Sequence, residues 1–318
     1  MTRPRALIVA GPTASGKSAL ALDLAGELDG AVINADSMQV YRELRILTAR
    51  PTPGDEARLP HRLYGVRPAS QPGSAAWWRG AALAAMDEVR EAGRLPILCG
   101  GTGLYLSTLV DGIADIPDPS QEARTRARAL LAQRGAPWLY ARVAEVDPVT
   151  AARLSPSDGQ RIARAWEVWC SSGRPLSAWL ETSRSPAPWR FAAIVLSPPR
   201  EVLKSAIDAR AGAMLGAGAL EEVRALLALE LDPALPLMRA HGVPELARYL
   251  CGDIGLAEAQ RRIVQATAQY AKRQATWFRH HVLAPRCGLL TISARYSHIS
   301  QFSERDMREL QNFLHRVR

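Results

Sequence analysis

The sequence has little lysine, little cysteine and no long apolar run. Lys17, Lys204 and Lys272 are the three lysines among 318 residues, so arginine carries most of the positive charge. The four cysteines form no CxxC pair, which favours reduced thiols over a disulfide framework or a zinc site. No run of about 18 apolar residues exists to span a bilayer, and the amino terminus lacks the cleavage pattern of a secretory signal. We therefore expect a cytoplasmic protein without a membrane segment.

The composition is that of a globular protein with an excess of positive charge. Hydrophobic residues make up 47% and charged residues 22%, which excludes disordered and fibrous classes, and the length predicts about two domains. The formal net charge is +9, and between Tyr270 and Arg318 nine basic residues face three acidic ones. Such a basic tail is typical of a nucleic-acid footprint. A solvated surface that keeps the protein soluble explains the charge equally well.

Short apolar runs alternate with helical stretches, which predicts an α/β fold with a parallel sheet. The predicted strands are residues 5–10, 30–35, 95–99, 191–196 and 288–293. The predicted helices of this core are residues 17–28, 77–92, a helix from about 104, 201–229 and 257–282. Prolines near residue 117 punctuate the chain, and helical patterns follow. We therefore predict a core of residues 1–116 and 191–318 and a helical insertion of residues 117–190.

The strongest motif is GPTASGKS at residues 11 to 18, which matches GxxxxGK[ST] between a predicted strand and a predicted helix. Its glycines allow backbone N–H groups to point inward, the helix start adds a positive dipole, and Lys17 places a charge on phosphate oxygens. Ser18 offers a hydroxyl to Mg²⁺. The predicted site for a diphosphate or triphosphate comprises Gly11, Pro12, Thr13, Ala14, Ser15, Gly16, Lys17 and Ser18. The motif alone does not decide whether the phosphates belong to ATP.

Two further segments are predicted to reach the same edge of the sheet. P-loop kinases usually end a second strand with an Mg²⁺-binding Asp, but the predicted strand 95–99 ends without a carboxylate. Asp36 is the one carboxylate that follows a predicted core strand. Asp36 is either the cap of a short following helix or a metal ligand or general base. The turn around Thr102, GGTG at residues 100 to 103, adds backbone amides and a hydroxyl.

One helical face near the carboxyl end is suited to a phosphate backbone. Its residues recur at spacings of three and four, namely Gln265, Gln269, Lys272, Thr276 and Arg279. Trp277 and Phe278 are expected to pack inside. A polar and basic stretch at residues 157 to 164 is, taken alone, more typical of a solvated helix start than of a binding site.

Five segments in order resemble the tRNA dimethylallyltransferases, also called tRNA isopentenyltransferases. They are GPTASGKS at 11 to 18, NADSMQVYR at 34 to 42, GGTGLYL at 100 to 106, DGQRIARAWEV at 158 to 168 and YAKRQATWFR at 270 to 279. The resemblance implies a P-loop kinase-like core with a helical insertion and a channel entered by a flipped adenine and by a prenyl diphosphate. It implies transfer of a dimethylallyl group from dimethylallyl diphosphate, with Mg²⁺, to N6 of adenine 37 in tRNAs that read codons beginning with U.

The resemblance also implies roles for individual residues. Asp36 corresponds to the general base, Thr102 to a residue that contacts substrate near the reacting groups, and Arg210 to an arginine that neutralises the leaving diphosphate. The residues that correspond to tRNA contacts are Asp36, Ser37, Met38, Gln39, Thr102, Arg124, Gln160, Arg161, Ile162, Ala163, Arg164, Arg239, Gly242, Lys272, Arg273, Gln274 and Arg279. The expected partners are a tRNA anticodon stem-loop and dimethylallyl diphosphate. A monomer without an obligate protein partner is the family-like expectation.

The chain departs from the family's usual residues at several positions, among them Leu47, Arg50, Arg62, Val243 and Ala268. Two rival functions use the same motif. One is a small-molecule kinase or free-nucleotide prenyltransferase, which would not need the basic tail or the arginine-bearing insertion. The other is a nucleic-acid-binding switch driven by a nucleoside triphosphate, which would bind ATP tightly and make no product.

Overall fold

The computed structural model describes residues 3–182, 184–298 and 302–317. Contacts divide the chain into two compact units, one of Met1–Val110 with Ala187–Arg318 and one of Asp111–Pro186. Arg318 of the basic tail and the side chain of Arg316 lie outside the described residues. Among the described residues, no helix is both long and apolar enough to cross a membrane.

Six parallel strands form one sheet in the first unit, which confirms the predicted α/β class. The strands are β1 (Arg5–Ala10), β2 (Gly30–Asn34), β3 (His61–Arg62), β4 (Leu95–Gly100), β5 (Arg190–Leu196) and β6 (Leu289–Ile292). Their order in the sheet is β3-β2-β4-β1-β5-β6. The register pairs Ala10 with Gly100 and Asn34 with Cys99. The central strands β1, β2 and β4 therefore end side by side, at one edge of the sheet.

Helices cover the sheet of the first unit. In the sequence, they come before and after the second unit. Those of the first unit are α1 (Lys17–Glu27), α2 (Pro53–Arg58), α3 (Ala75–Glu91), α4 (Gly103–Val110), α10 (Arg200–Gly216), α11 (Ala219–Leu227), α12 (Val243–Leu250), α13 (Leu256–His280) and α14 (Glu304–Val317). Two short 3-10 helices span Leu237–Arg239 and Arg286–Gly288.

After its first residue, Arg5, the strand β1 is apolar because both faces of the sheet are covered. Ala6 and Ile8 point into one core cluster, which also holds Trp78 of α3. Leu7 and Val9 point into the other, with Leu20 of α1. This alternation is the period of two expected for a strand, and it specifies the register in which β1 pairs with its neighbouring strands.

The second unit is helical in all of its described elements. They are α5 (Gln121–Arg134), α6 (Ala136–Val146), α7 (Pro148–Ala151), α8 (Gly159–Ser172) and α9 (Leu176–Leu180). Ser120 caps α5 by accepting a hydrogen bond from the Ala123 amide at 3.1 Å. Asp158 caps α8 through the Arg161 amide at 3.2 Å. Ala127, Leu139 and Ile162 belong to its own small core.

The structure differs from the sequence-based expectation at a few element boundaries. The predicted helix 201–229 is two helices, α10 and α11, because Gly218 has a φ of 104° and starts a new helix. The predicted insertion spans residues 117–190, whereas the second unit of the structure spans Asp111–Pro186. Trp189 is buried in the core of the first unit, and β5 begins at Arg190.

Candidate active site

The loop between β1 and α1 contains the predicted phosphate-binding residues. Gly11 and Gly16 have φ angles of 149° and 90°, in the region that favours glycine. A Cβ on Gly16 would collide with the carbonyl oxygen of Tyr296. Gly16 also precedes α1, and no side chain of the described residues caps that helix start. The first amides of α1 are therefore open to an anion.

Lys17 is the cation of this loop, and its side chain is half-buried. Its Nζ donates a hydrogen bond to the Pro12 carbonyl oxygen at 3.5 Å. Burial lowers the pKa of Lys17 from its ordinary value, and the carboxylate of Asp36 opposes that shift. An ammonium group whose charged form is disfavoured by burial is arranged to receive a negative ligand.

Arg210 of α10 places a second cation beside the loop. Its Nη2 donates to Thr13 Oγ1 at 2.6 Å. Burial lowers the pKa of Arg210, Asp36 raises it, and the positive charge of Arg295 lowers it further. Arg295 donates from Nε to the Ala14 carbonyl oxygen at 3.1 Å. Two guanidinium groups therefore contact the phosphate loop, and the sequence pointed to one of them.

Arg295 escapes a motif search because it comes from far along the chain. It follows β6 by three residues, at the edge of the sheet where β1 also ends. The next residue, Tyr296, donates its amide to the Ser15 carbonyl oxygen at 2.9 Å and its hydroxyl to Asp23 of α1 at 2.5 Å. The segment after β6 thus contacts the phosphate loop at the carbonyl oxygens of Ala14 and Ser15. Its position after a strand of the same parallel sheet is the signal that could have found it.

Asp36 lies two residues beyond β2 in a backbone conformation that Asn34 enforces. Asn34 Oδ1 accepts from the Asp36 amide at 2.8 Å, and Asn34 Nδ2 donates to the Asp36 carbonyl oxygen at 3.0 Å. Asp36 Oδ1 accepts from the Met38 amide at 3.0 Å, so one oxygen fixes a turn. No helix follows directly in the described chain, which makes the expectation of a helix cap wrong. The described residues give Oδ2 no hydrogen bond, and this oxygen is the one open to a substrate.

Thr102 joins this turn to the end of β4. Its Oγ1 accepts from the Ser37 amide at 3.0 Å and lies 3.3 Å from Ser37 Oγ. Its own amide donates to the Ala35 carbonyl oxygen at 3.2 Å. The Tyr270 hydroxyl of α13 also hydrogen-bonds Thr102, and burial and the charge of Asp36 raise the pKa of Tyr270. Tyr270 therefore stays protonated beside the carboxylate.

Cys99 lies beneath Ser18 at the end of β4. Burial raises the pKa of its thiol to about 11, while Lys17 and a hydrogen bond with Ser18 lower it. The thiol is neutral at physiological pH and is not a nucleophile there. The described residues contain no group of three or more His, Cys, Asp or Glu side chains that could hold a metal ion. The Ser18 side chain is exposed at the start of α1, where its hydroxyl is open to a ligand.

Gln274 of α13 reaches into the phosphate loop, a placement that the sequence did not predict. Its side chain is 5% exposed. Gln274 Oε1 accepts from the Thr13 amide at 2.8 Å, and Nε2 donates to the Gly101 carbonyl oxygen at 2.8 Å. Both ends of the amide are occupied by backbone, which corrects the expectation of a tRNA contact from this side chain. Its spacing from buried Ala271 and Phe278 is the signal for an inward position.

The rest of α13 has the exposed face that was expected. Lys272, Arg273 and Arg279 are exposed. The remaining members of the predicted face, Gln265, Gln269 and Thr276, are exposed as well. Phe278 is buried as predicted, and half-buried Trp277 stacks on His281 with ring centroids 4.1 Å apart.

Other predicted tRNA contacts of the first unit lie in different settings. Arg239 is exposed, and Gly242 is buried where a Cβ would approach Leu47 to 2.6 Å. Ser37, Met38 and Gln39 are half-buried. Gln39 Nε2 donates to the Thr48 and Ala49 carbonyl oxygens at 2.8 and 2.9 Å, so this side chain holds a neighbouring loop.

In the second unit, taken by itself, the predicted residues divide by burial. Gln160 and Arg161 are exposed and Arg164 is half-buried. Arg124 pairs with Asp118 at 3.3 Å. Ile162 and Ala163 are 0% and 7% exposed, so their side chains support the helix and do not reach a ligand.

The chain matches two protein-family models and closely related sequences. The IPP transferase family model matches residues 39–281, and the isopentenyl transferase model matches residues 4–67. The chain is 61% identical over 315 residues to a tRNA dimethylallyltransferase of Granulibacter bethesdensis, covering 99% of both chains. It is 55% identical to that of Gluconobacter oxydans, over 99% of this chain and 95% of the other.

Two solved structures are similar in fold. One is the tRNA isopentenylpyrophosphate transferase of Bacillus halodurans, with a TM-score of 0.69, 29% identity, and coverage of 99% and 97% of the two chains. The other is a eukaryotic dimethylallyltransferase acting on tRNA, with a TM-score of 0.80, 25% identity, and coverage of 98% and 80%. The chain therefore belongs to the IPP transferase family and is a prenyltransferase of the tRNA dimethylallyltransferase type.

Proposed function

We propose that this protein transfers a dimethylallyl group from dimethylallyl diphosphate to N6 of adenine 37 in tRNAs that read codons beginning with U. The observation that carries the proposal is the common edge of one sheet. Lys17 follows β1, Asp36 follows β2 and Thr102 follows β4. Arg210 adds a cation at 2.6 Å from the same loop. The first unit therefore holds both the cations that would bind the donor's diphosphate and the carboxylate that would accept the acceptor's proton.

The phosphate loop is suited to the diphosphate of the donor. Amides at the start of α1, the Lys17 ammonium and the Arg210 guanidinium would each face phosphate oxygens. Negative charge builds on the bridging oxygen as the allylic carbon–oxygen bond breaks, and fixed cations stabilise it most at that point. Burial of Lys17 and Arg210, which lowers the pKa of each, also strengthens their attraction for the leaving group.

The Ser18 hydroxyl would hold Mg²⁺ together with donor phosphate oxygens. The residues fit this role, since Mg²⁺ usually takes one or two protein oxygens, substrate phosphates and waters. When bound, the ion supplies charge neutralisation to the departing diphosphate. All remaining chemistry is assigned to side chains.

Asp36 acts as the general base. The N6 lone pair is delocalised into the purine ring, so attack on the allylic carbon is helped by removal of a proton. A new N6–carbon bond forms, the carbon–oxygen bond breaks with its electron pair going to diphosphate, and the N6 proton goes to Asp36. Oδ1 is held by the Met38 amide, which leaves Oδ2 for the proton. Thr102 holds the turn that carries Asp36 through the Ser37 amide.

The tRNA is recognised through lysine and arginine side chains of the first unit and arginine side chains of the second. Lys272, Arg273 and Arg279 lie exposed on α13, and Arg161 lies exposed on α8. Contacts of this type bind the phosphate backbone and offset the few kcal/mol that extruding a base costs. Because its substrate is tRNA, we place the reaction in the cytoplasm.

One assay separates this function from its rivals. Labelled dimethylallyl diphosphate is supplied with unmodified tRNA, with AMP, or with neither, and a parallel sample receives labelled ATP alone. The proposal expects label in tRNA at adenine 37. Label in AMP would make the protein a free-nucleotide prenyltransferase, and tight ATP binding without a prenylated product would favour the switch.

A further inference from the structure

Gln274 connects the donor side of the site to the acceptor side. Its amide spans from the Thr13 N–H in the phosphate loop to the Gly101 carbonyl in the turn after β4, with both contacts at 2.8 Å. Gly101 permits this approach because a Cβ there would collide with Gln274 Nε2. Gln274 is one of six buried polar or charged residues among those the structure describes. A buried amide with both ends satisfied holds its partners at a fixed spacing.

The connection continues from Gly101 to the general base. Thr102, the next residue, accepts from the Ser37 amide at 3.0 Å, and Ser37 follows Asp36 directly. Thr13 also holds Arg210 through its hydroxyl at 2.6 Å. A single side chain thus ties the loop that would bind the leaving group to the turn that carries the base.

We propose that Gln274 is a positioning residue that sets the spacing between the donor's diphosphate and Asp36 by tying the Thr13 amide to the Gly101 carbonyl. This inference rests on the proposed function for its chemistry. Misplacing reacting groups by about 1 Å costs on the order of 100-fold in rate, so loss of the tie lowers turnover without removing any group that touches substrate.

The test uses two replacements of similar shape. Gln274→Met keeps the volume and removes both hydrogen bonds. Gln274→Glu keeps both while its carboxyl is protonated, because one oxygen accepts from Thr13 and the hydroxyl donates to Gly101. Once ionised, the carboxylate repels the Gly101 carbonyl and cannot donate. The charged and titratable groups around this contact are Lys17 of α1, Asp36 after β2, Cys99 of β4, Arg210 of α10, Arg295 after β6 and Tyr270 of α13, whose hydroxyl also contacts Gln274.

We expect Gln274→Met to lower kcat by about 10- to 100-fold and to change the KM for tRNA by less than about twofold. The ratio of Gln274→Glu to wild-type kcat, taken at each pH, is expected to fall as pH rises and to reach the level of Gln274→Met. Taking the ratio cancels titrations that both proteins share. Gln311→Met, at an exposed position of α14, is the matched control and should keep wild-type kinetics at every pH.

A ratio that does not change with pH, or a Gln274→Met enzyme with wild-type kcat and only a lower Tm, would overturn the positioning role. Binding of inorganic pyrophosphate to wild type and to Gln274→Met, measured by calorimetry, adds an arm that needs no prenyl transfer. If wild type makes no prenylated tRNA, the proposed function fails. Weaker pyrophosphate binding by the variant would then still support the tie, and equal binding would contradict it.

Discussion

Replacing Lys17 by methionine should leave the ligand-free protein at least as stable as wild type but weaken its binding of pyrophosphate. Burial lowers the pKa of Lys17 below 10.5, so the folded state disfavours the charged form. The sign follows from linkage: this cost to stability is present at neutral pH and disappears only as pH rises through the lowered folded pKa and past 10.5. Without ligand, Lys17→Met is therefore expected to be at least as stable as wild type, with an equal or higher Tm at pH 7.

With pyrophosphate, the order of stability reverses. Losing one charge-assisted contact of about 1.5–3 kcal/mol weakens binding by roughly 10- to 100-fold. At a concentration about 100 times the wild-type Kd, the ligand stabilises wild type by about 2.7 kcal/mol. The same concentration stabilises the variant by only about 0.4–1.4 kcal/mol. At roughly 2–4 °C per kcal/mol, wild type gains about 5–11 °C and the variant about 1–6 °C.

Thermal unfolding with and without pyrophosphate, followed by circular dichroism, measures both effects. Lys204→Met removes a lysine from an exposed position of α10 and should respond to pyrophosphate as wild type does. A Lys17→Met protein that is clearly less stable without ligand, or that gains as much Tm from pyrophosphate as wild type, would refute this role of the Lys17 ammonium.

Three further changes test other parts of the site. Asp36→Asn should lower turnover by roughly two to four orders of magnitude with tRNA affinity in a filter-binding assay unchanged; wild-type turnover would remove Asp36 from the mechanism. Gly16→Ala should abolish pyrophosphate binding by calorimetry, because φ is 90° and its Cβ would collide with Tyr296; normal binding would mean that the loop moves freely. Lys272→Ala should reduce the slope of log K for tRNA against log salt by about 0.7–1 and leave pyrophosphate binding unchanged; an unchanged slope would take α13 out of the tRNA interface.

The parts of the site that short sequence motifs define could be predicted from the sequence. Lys17 and Ser18 sit in a local pattern that needs one strand, one turn and one helix. Asp36 and Thr102 each follow a strand of a parallel sheet by two residues, and the carboxyl ends of such strands meet at one edge. The strand order that brings them together, β2-β4-β1, is observed.

The contacts that long-range packing creates could not be predicted in the same way. Arg295 reaches Ala14 across 281 positions of sequence, and Gln274 reaches Thr13 across 261. Resemblance placed Gln274 among the tRNA contacts, although helical spacing from Phe278 puts it on the buried face. The break at Gly218 was missed because glycine within an apolar periodic stretch is compatible with a continuous helix.

The central claim is that one sheet edge holds the donor's diphosphate on the phosphate loop and presents N6 of the acceptor adenine to Asp36. The most direct measurement is a crystal structure with an unreactive dimethylallyl diphosphate analogue and an anticodon stem-loop. The account predicts the diphosphate on the amides at the start of α1, beside Lys17, and N6 at about 3 Å from an Asp36 oxygen. A diphosphate bound elsewhere, or an adenine N6 far from Asp36, would contradict it.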